Sequence, residues 1–272
     1  MSRDRTVPVF TELPAYSAAV AELPLSTAIT DDRRGAVVVV AGSGDWRIAI
    51  QDAMAAGAAA VVLADPAVLR REAVEAVPWP GDIPVIVDRP RLRPDVVADA
   101  QRARRGSPPR LITVECAAPA AALDGVILDG FGWARSLAGE PLALHASIAT
   151  VQGRIALLES RDSGDGSVPA TVMATPVGGV HPGGLLQVLA LGEVRTEVTL
   201  DQPARLARVE TFRDEGALRA PERFESSARL ALRRAIDACL SDGPTADLEE
   251  LLQDMALARS LLGAQAGGYS HV

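Results

Sequence analysis

Two glycines, Gly42 and Gly44, flank Ser43 in "VVVVAGSGDW", directly after an apolar β-branched run. In that setting they match the first two glycines of a G-x-G-x-x-G turn, whose tight backbone lets amides approach a pyrophosphate. Arg47 stands where the third glycine, which permits close helix–strand packing, would be. Asp65 follows 23 positions after Gly42, at the end of the next apolar run. That fits the spacing of about 20 residues expected of an acid that binds a ribose hydroxyl. A second stretch, "IPVIVDRPRL", runs from a strand into Asp88, Arg89 and Pro90. Proline fixes the backbone there, and the aspartate can hold the guanidinium. A guanidinium stays protonated, so Arg89 offers charge and hydrogen bonds but no transferable proton. The plain alternatives are a strand-to-helix turn at Gly42 and a solvated helix start at Arg89.

The remaining residue types narrow the chemistry. The 272 residues contain no lysine and no asparagine, so Schiff-base chemistry and ammonium proton donors are excluded. His145 sits in an apolar strand-like run and reads as a hydrogen-bonded core residue, and His181 lies in a loop, "GGVHPGG". "RDSGDGS" lacks the later glutamate of a calcium loop and reads as a hairpin turn. Cys116 and Cys239 form no CxxC pair and read as buried thiols of a reducing compartment. Arg33, Arg34, Arg104 and Arg105 read as solvated surface. No catalytic residue and no metal ligand is assigned.

Charge and composition exclude further classes. The net charge is −8, the arginines are dispersed and aromatic residues make up 3%, so no nucleic-acid partner is expected. The start "MSRDRTVPVF" lacks the apolar core of a signal peptide, and no apolar run approaches the ~18 residues of a membrane span. The expectation is a cytoplasmic protein without a membrane partner.

Strands and helices alternate through the first half. "GAVVVVAG" has the continuous β-branched character of a strand buried on both faces, and "DWRIAIQDAMAAG" follows with helical spacing closed by Gly57. "AAAVVLADP", "IPVIVD" and "PRLITVEC" continue as strands, with helices at "AVLRREAVEAV" and "RPDVVADAQRARRG". "VPVFTE", "AYSAAVAEL" and "LSTAIT" form a possible earlier unit of the same kind. This alternation predicts a wound parallel sheet over 1–118. After Ala117 come a helix-containing connection and long strand-like runs such as "RIALLES" and "LLQVLALGEVRTEVTL". They predict an open mixed or antiparallel sheet of about four strands over 119–272, closed by two helices and a mobile tail. The last helix carries Leu248, Leu251, Leu252, Met255, Ala258, Leu261 and Leu262 on one stripe, with Thr245 available to cap it.

This arrangement resembles the Gfo/Idh/MocA family of NAD(P)-dependent oxidoreductases. In that family a strand ends in Glu-Lys-Pro, whose lysine serves cofactor and substrate, and "VDRP" resembles that motif as Asp88-Arg89-Pro90. In an alternative register "LADP" takes the place, and the lysine becomes Ala64. "LAGEPLALHAS" is similar to the family's entry into its sheet, and the closing helices are similar too. The family pairs an aspartate with a histidine at that entry; here "ILDGFGWARSL" offers Asp129 with Trp133. The resemblance implies NAD or NADP at Gly42, Ser43, Gly44, Asp65, Arg89 and Pro90, a homodimer through the open sheet, and loss of lysine-dependent catalysis. The chain would then be a pseudoenzyme in a binding or structural role. Two alternatives stand beside it. One is a working NAD(P)-dependent oxidoreductase on a small polar substrate. The other is a regulatory or ligase-accessory domain, since amino-terminal domains of Mur ligases show a similar "A…GA-aVV…iPvi-V" cadence over the first half.

Overall fold

The computed structural model describes residues 6–69, 83–160, 167–178, 183–241, 245–263 and 269–271. Its contacts divide into two compact units, Met1–Pro90 with Phe224–Leu251, and Arg91–Arg223 with Leu252–Val272.

The first unit is a parallel sheet of five strands, β1 (Val7–Phe10), β2 (Thr27–Ile29), β3 (Val37–Ala41), β4 (Ala60–Ala64) and β5 (Val85–Asp88), in the order β2-β1-β3-β4-β5. Helix α1 (Pro14–Ala21) joins β1 to β2, and α2 (Trp46–Ala55) joins β3 to β4. The upstream strand–helix–strand unit is therefore real. Val37–Val40, Ala60–Leu63 and Val85–Asp88 are buried at every position, as a sheet covered on both faces requires. The chain returns as α5 (Ser227–Ser241), whose Ala231, Leu232 and Ala235 join Val39, Val62, Ile86 and Tyr16 in one core. Edge strand β5 is closed off rather than left open. Asp247 accepts the Val87 amide (2.9 Å) and pairs with Arg234, while the Thr245 hydroxyl donates to the Val85 carbonyl.

The second unit is a mixed sheet of nine strands. These are β6 (Leu111–Ala118), β7 (Leu142–Ala149), β8 (Arg154–Ser160), β9 (Ala170–Pro176), β10 (Leu185–Leu191), β11 (Arg195–Asp201), β12 (Leu206–Arg213), β13 (Gly216–Arg219) and β14 (Tyr269–His271). Their order is β13-β12-β11-β10-β6-β9-β8-β7-β14, with β6 and β9 the one parallel pair among them. Helix α4 (Ala120–Ala138) packs on β6, β9 and β10, and α3 (Pro94–Ala103) on β11 and β12. Gly130 lets α4 approach closely, for a Cβ there would lie 2.8 Å from the Cys116 sulfur. Helix α6 (Asp247–Gly263) buries Leu251, Met255, Ala258 and Leu261 of the expected stripe.

Three expectations are corrected here. The strand "PRLITVEC" belongs not to the parallel sheet but to the centre of the large one, so the boundary falls at 90/91 rather than near 118. Its ladder partners β9 and β10 lie far along the chain, where local pattern carries no signal. The open sheet has nine strands rather than about four. The tail contributes β14, paired antiparallel to β7. The helix expected at "AVLRREAVEAV" falls mostly outside the described residues, as do "RDSGDGS" and His181.

Candidate functional site

In wound sheets, ligands bind beyond the carboxyl ends of the strands, at the point where the strand order reverses. With the order β2-β1-β3-β4-β5 that point lies between β1 and β3. The turn after β3, Gly42–Asp45, therefore flanks it.

Gly42 is buried, and its amide donates to the Ala64 carbonyl at 2.7 Å while its own carbonyl accepts from Ala67 at 2.8 Å. A Cβ at Gly42 would lie 2.4 Å from the carbonyl oxygens of Ala64 and Asp65. The first fingerprint glycine is thus required by the chain's own β4 end. Gly44 adopts φ +66° with open space around it, and Ser43 and Asp45 are exposed beside it. Trp46 opens α2 fully buried, its indole N–H bonded to the Ala67 carbonyl (3.1 Å). Arg47, in the third glycine's place, is buried and holds the Asp45 carboxylate through Nε and Nη2. The helix start is therefore anchored by two large side chains instead of the close approach that glycine would allow.

Asp65 is exposed at φ +46°, and its amide donates to the Asp88 carbonyl. Asp88 is buried at the end of β5 and accepts from the Tyr16 hydroxyl (2.5 Å) and the Ser227 hydroxyl. Burial, then the Asp88 charge and hydrogen bond, then Asp65, push the Tyr16 phenol far above its ordinary range, so it stays a phenol. Arg89 is 5% exposed, which removes the solvated helix-start reading, and Pro90 is half-buried beside it. Both follow the edge strand β5, with β4 between β5 and β3.

In the second unit, Asp129 lies on α4 at 2% exposure and pairs with Arg91 Nε at 2.6 Å. Arg91 Nη1 donates to Gln202 (2.7 Å), and the Trp133 indole N–H donates to the Arg91 carbonyl (2.7 Å). The aspartate and tryptophan that the family resemblance singled out thus both hold Arg91, a residue the sequence reading passed over. The alternation of arginines in "DRPRLRP" was the one available signal. Arg104, expected on the surface, is buried and donates to the carbonyls of Ala190 and Val194 and to the Thr196 hydroxyl. His145, expected in the core, is exposed beside Glu159, because the β-bulge between Leu144 and Ala146 breaks the alternation there. Burial raises the thiol pKa of both Cys116 and Cys239, and both cysteines are free. Among the described residues no group of three or more His, Cys, Asp or Glu could hold a metal, and no helix is long and apolar enough to cross a membrane.

No family model matches the chain, and no curated protein matches it. Solved structures match along almost its whole length. An oxidoreductase from Sinorhizobium meliloti aligns with TM-score 0.65 at 11% identity, covering 98% of this chain and 99% of that one. KijD10, a 3-ketoreductase from Actinomadura kijaniata in complex with NADP and TDP-benzene, gives 0.69 at 14%, covering 96% and 98%. Apo scyllo-inositol dehydrogenase from Lactobacillus casei gives 0.57 at 18%, covering 95% and 87%. The Mur-ligase cadence accounted for the first half alone, whereas these folds account for both units. In fold, this chain is similar over both units to these oxidoreductase structures, the fold that the Gfo/Idh/MocA resemblance implies.

Proposed function

We propose that the chain is an oxidoreductase-fold protein that binds a small molecule or nucleotide and lacks lysine-dependent hydride transfer. The observation that carries this reading is the buried Arg91–Asp129 pair. The Asp129 carboxylate is engaged at 2.6 Å by the buried guanidinium of Arg91, and Trp133 beside it offers only an indole N–H. Residue 89 is an arginine, and no lysine exists elsewhere in the chain to replace it. Nucleotide contact through Ser43, the Gly44 turn, Asp65, Arg89 and Pro90 is the binding mode proposed. Gly42 serves there by shaping the turn, since its amide is already engaged.

Calorimetry with NADH and NADPH, together with dehydrogenase assays on polyols and sugar nucleotides, tests the reading. Binding without turnover is expected. Arg89→Lys alone is expected to remain inactive. Steady dehydrogenase turnover by the unmutated protein would overturn the reading in favour of a working NAD(P)-dependent oxidoreductase. That second reading is favoured by the NADP complex of KijD10.

The open face of the nine-stranded sheet supports a homodimer. Ile148, Ile155 and Met173 align across β7, β8 and β9, with Leu157 in the neighbouring row. Ile148, Ile155 and Leu157 are exposed, as are Leu111 and Leu191 further along. Exposed apolar side chains aligned in this way are a place for a partner, and self-association of like faces is the commonest solution.

A further inference from the structure

Within the second unit, a groove of about 440 Å³ opens between the last turn of α3 and the β12–β13 hairpin. Its size lies in the range of small-molecule sites. Four guanidiniums line it, those of Arg102, Arg105, Arg213 and Arg219, against two carboxylates, Asp99 and Glu215. Asp99 is already engaged by Arg102 (2.9 Å) and by Arg223. Arg219 is likewise engaged by Glu210 (2.8 Å), so the positive charge left to the groove is that of Arg105 and Arg213 against Glu215, on a chain whose net charge is −8. Arg213 is fixed in place, its Nη2 donating to the Ala103 carbonyl, and Arg219 is braced by Glu210. Arg105 stands exposed at φ +51°, and no bond to its guanidinium is found among the described residues.

The wall holds a second, independent observation. Thr211 is 1% exposed, and its hydroxyl has no hydrogen-bond partner. A buried hydroxyl without a partner carries a desolvation cost that a bound oxygen would relieve. Val209 and Leu218 give the same groove an apolar surface.

We propose that this groove binds an organic phosphate. The guanidiniums of Arg105 and Arg213 would take the oxyanion, the Thr211 hydroxyl would donate to it, and the Val209–Leu218 surface would cover an apolar body. The arginine fork matches phosphate geometry, and an apolar body selects an ester over the free ion.

The test is calorimetric titration of the full chain, at constant ionic strength, with phenyl phosphate, inorganic phosphate and citrate. Saturable binding of phenyl phosphate is expected, with inorganic phosphate weaker by about tenfold for want of the buried ring. Arg105→Glu, at an exposed and unbonded side chain, should weaken phenyl phosphate by about tenfold or more, and Thr211→Val by about fivefold. Arg33→Glu, the same charge change in the other unit, should leave the affinity unchanged. The proposal fails if phenyl phosphate gives no saturable heat, or if Arg33→Glu and Arg105→Glu weaken it equally. Citrate binding as tightly as phenyl phosphate would overturn the assignment to phosphates and give the groove to polycarboxylates.

Discussion

The two sheets solve burial differently. In the five-stranded sheet, β3, β4 and β5 are apolar at consecutive positions because helices cover both faces. In the nine-stranded sheet, β6 and β8 alternate buried with exposed or half-buried residues, because α3 and α4 cover one face and leave the other open. A sheet covered on both faces keeps its polar chemistry at the strand ends, as at Gly42, Asp65 and Asp88. The open face of the other keeps side chains available along its whole area. The contrast extends to buried charge. Asp88 is held by hydroxyls from Tyr16 and Ser227, whereas Asp129 and Asp254 face guanidiniums, Arg91 and Arg135.

The largest expected effect tests that last difference. Arg135→Met removes the guanidinium that pairs with the fully buried Asp254, and should lower unfolding free energy by about 3–5 kcal/mol in chemical denaturation. Arg135→Met with Asp254→Leu should recover most of the loss, because a packed apolar pair of similar volume replaces the ions. Full loss in the double variant would show that the pair does more than balance charge.

At the covered sheet, Gly42→Ala forces backbone apart at β4 and should cost about 3 kcal/mol in the same assay. A neutral result would show that the 64–65 backbone gives way easily.

Tyr16→Phe removes one donor to buried Asp88 and should cost about 1–2 kcal/mol at neutral pH. The pH dependence has a definite sign. Tyr16 has a raised pKa in the fold, while the unfolded phenol ionises near pH 10. The stability it contributes is fully present below about pH 10 and falls as pH rises above it. Alkaline unfolding followed by circular dichroism should therefore shift less with pH in Tyr16→Phe than in the unmutated chain.

The smallest effect on stability is at the open face. Leu157→Arg, at a partly exposed site, should change the unfolding free energy by under about 0.5 kcal/mol. It should nonetheless convert a dimer to a monomer in light scattering. A monomer mass for the unmutated chain at micromolar concentration would remove the dimer proposal.

Much of the fold was legible because periodicity reports burial. Val37–Val40 could only be a doubly covered strand, and the stripe from Leu251 to Leu261 could only be a buried helix face. The candidate site was less so. Gly42 and Gly44 were found by spacing, but spacing could not tell a phosphate turn from a glycine that makes room for Ala64 and Asp65. Arg91 and Arg104 were missed because an arginine reads as surface until its partners, Asp129 in one case and the carbonyls of Ala190 and Val194 in the other, are brought to it from 38 to 90 positions away.

The sequence by itself determined the elements and the missing chemistry. A run of β-branched residues, a helical stripe and the absence of every lysine are local or compositional facts, and folding does not change them. The tertiary structure decided which sheet each strand joins, that β6 lies between β10 and β9, and that Asp129 is spent on Arg91. Those outcomes rest on pairings between distant segments, whose register and burial are fixed only when the chain has closed on itself.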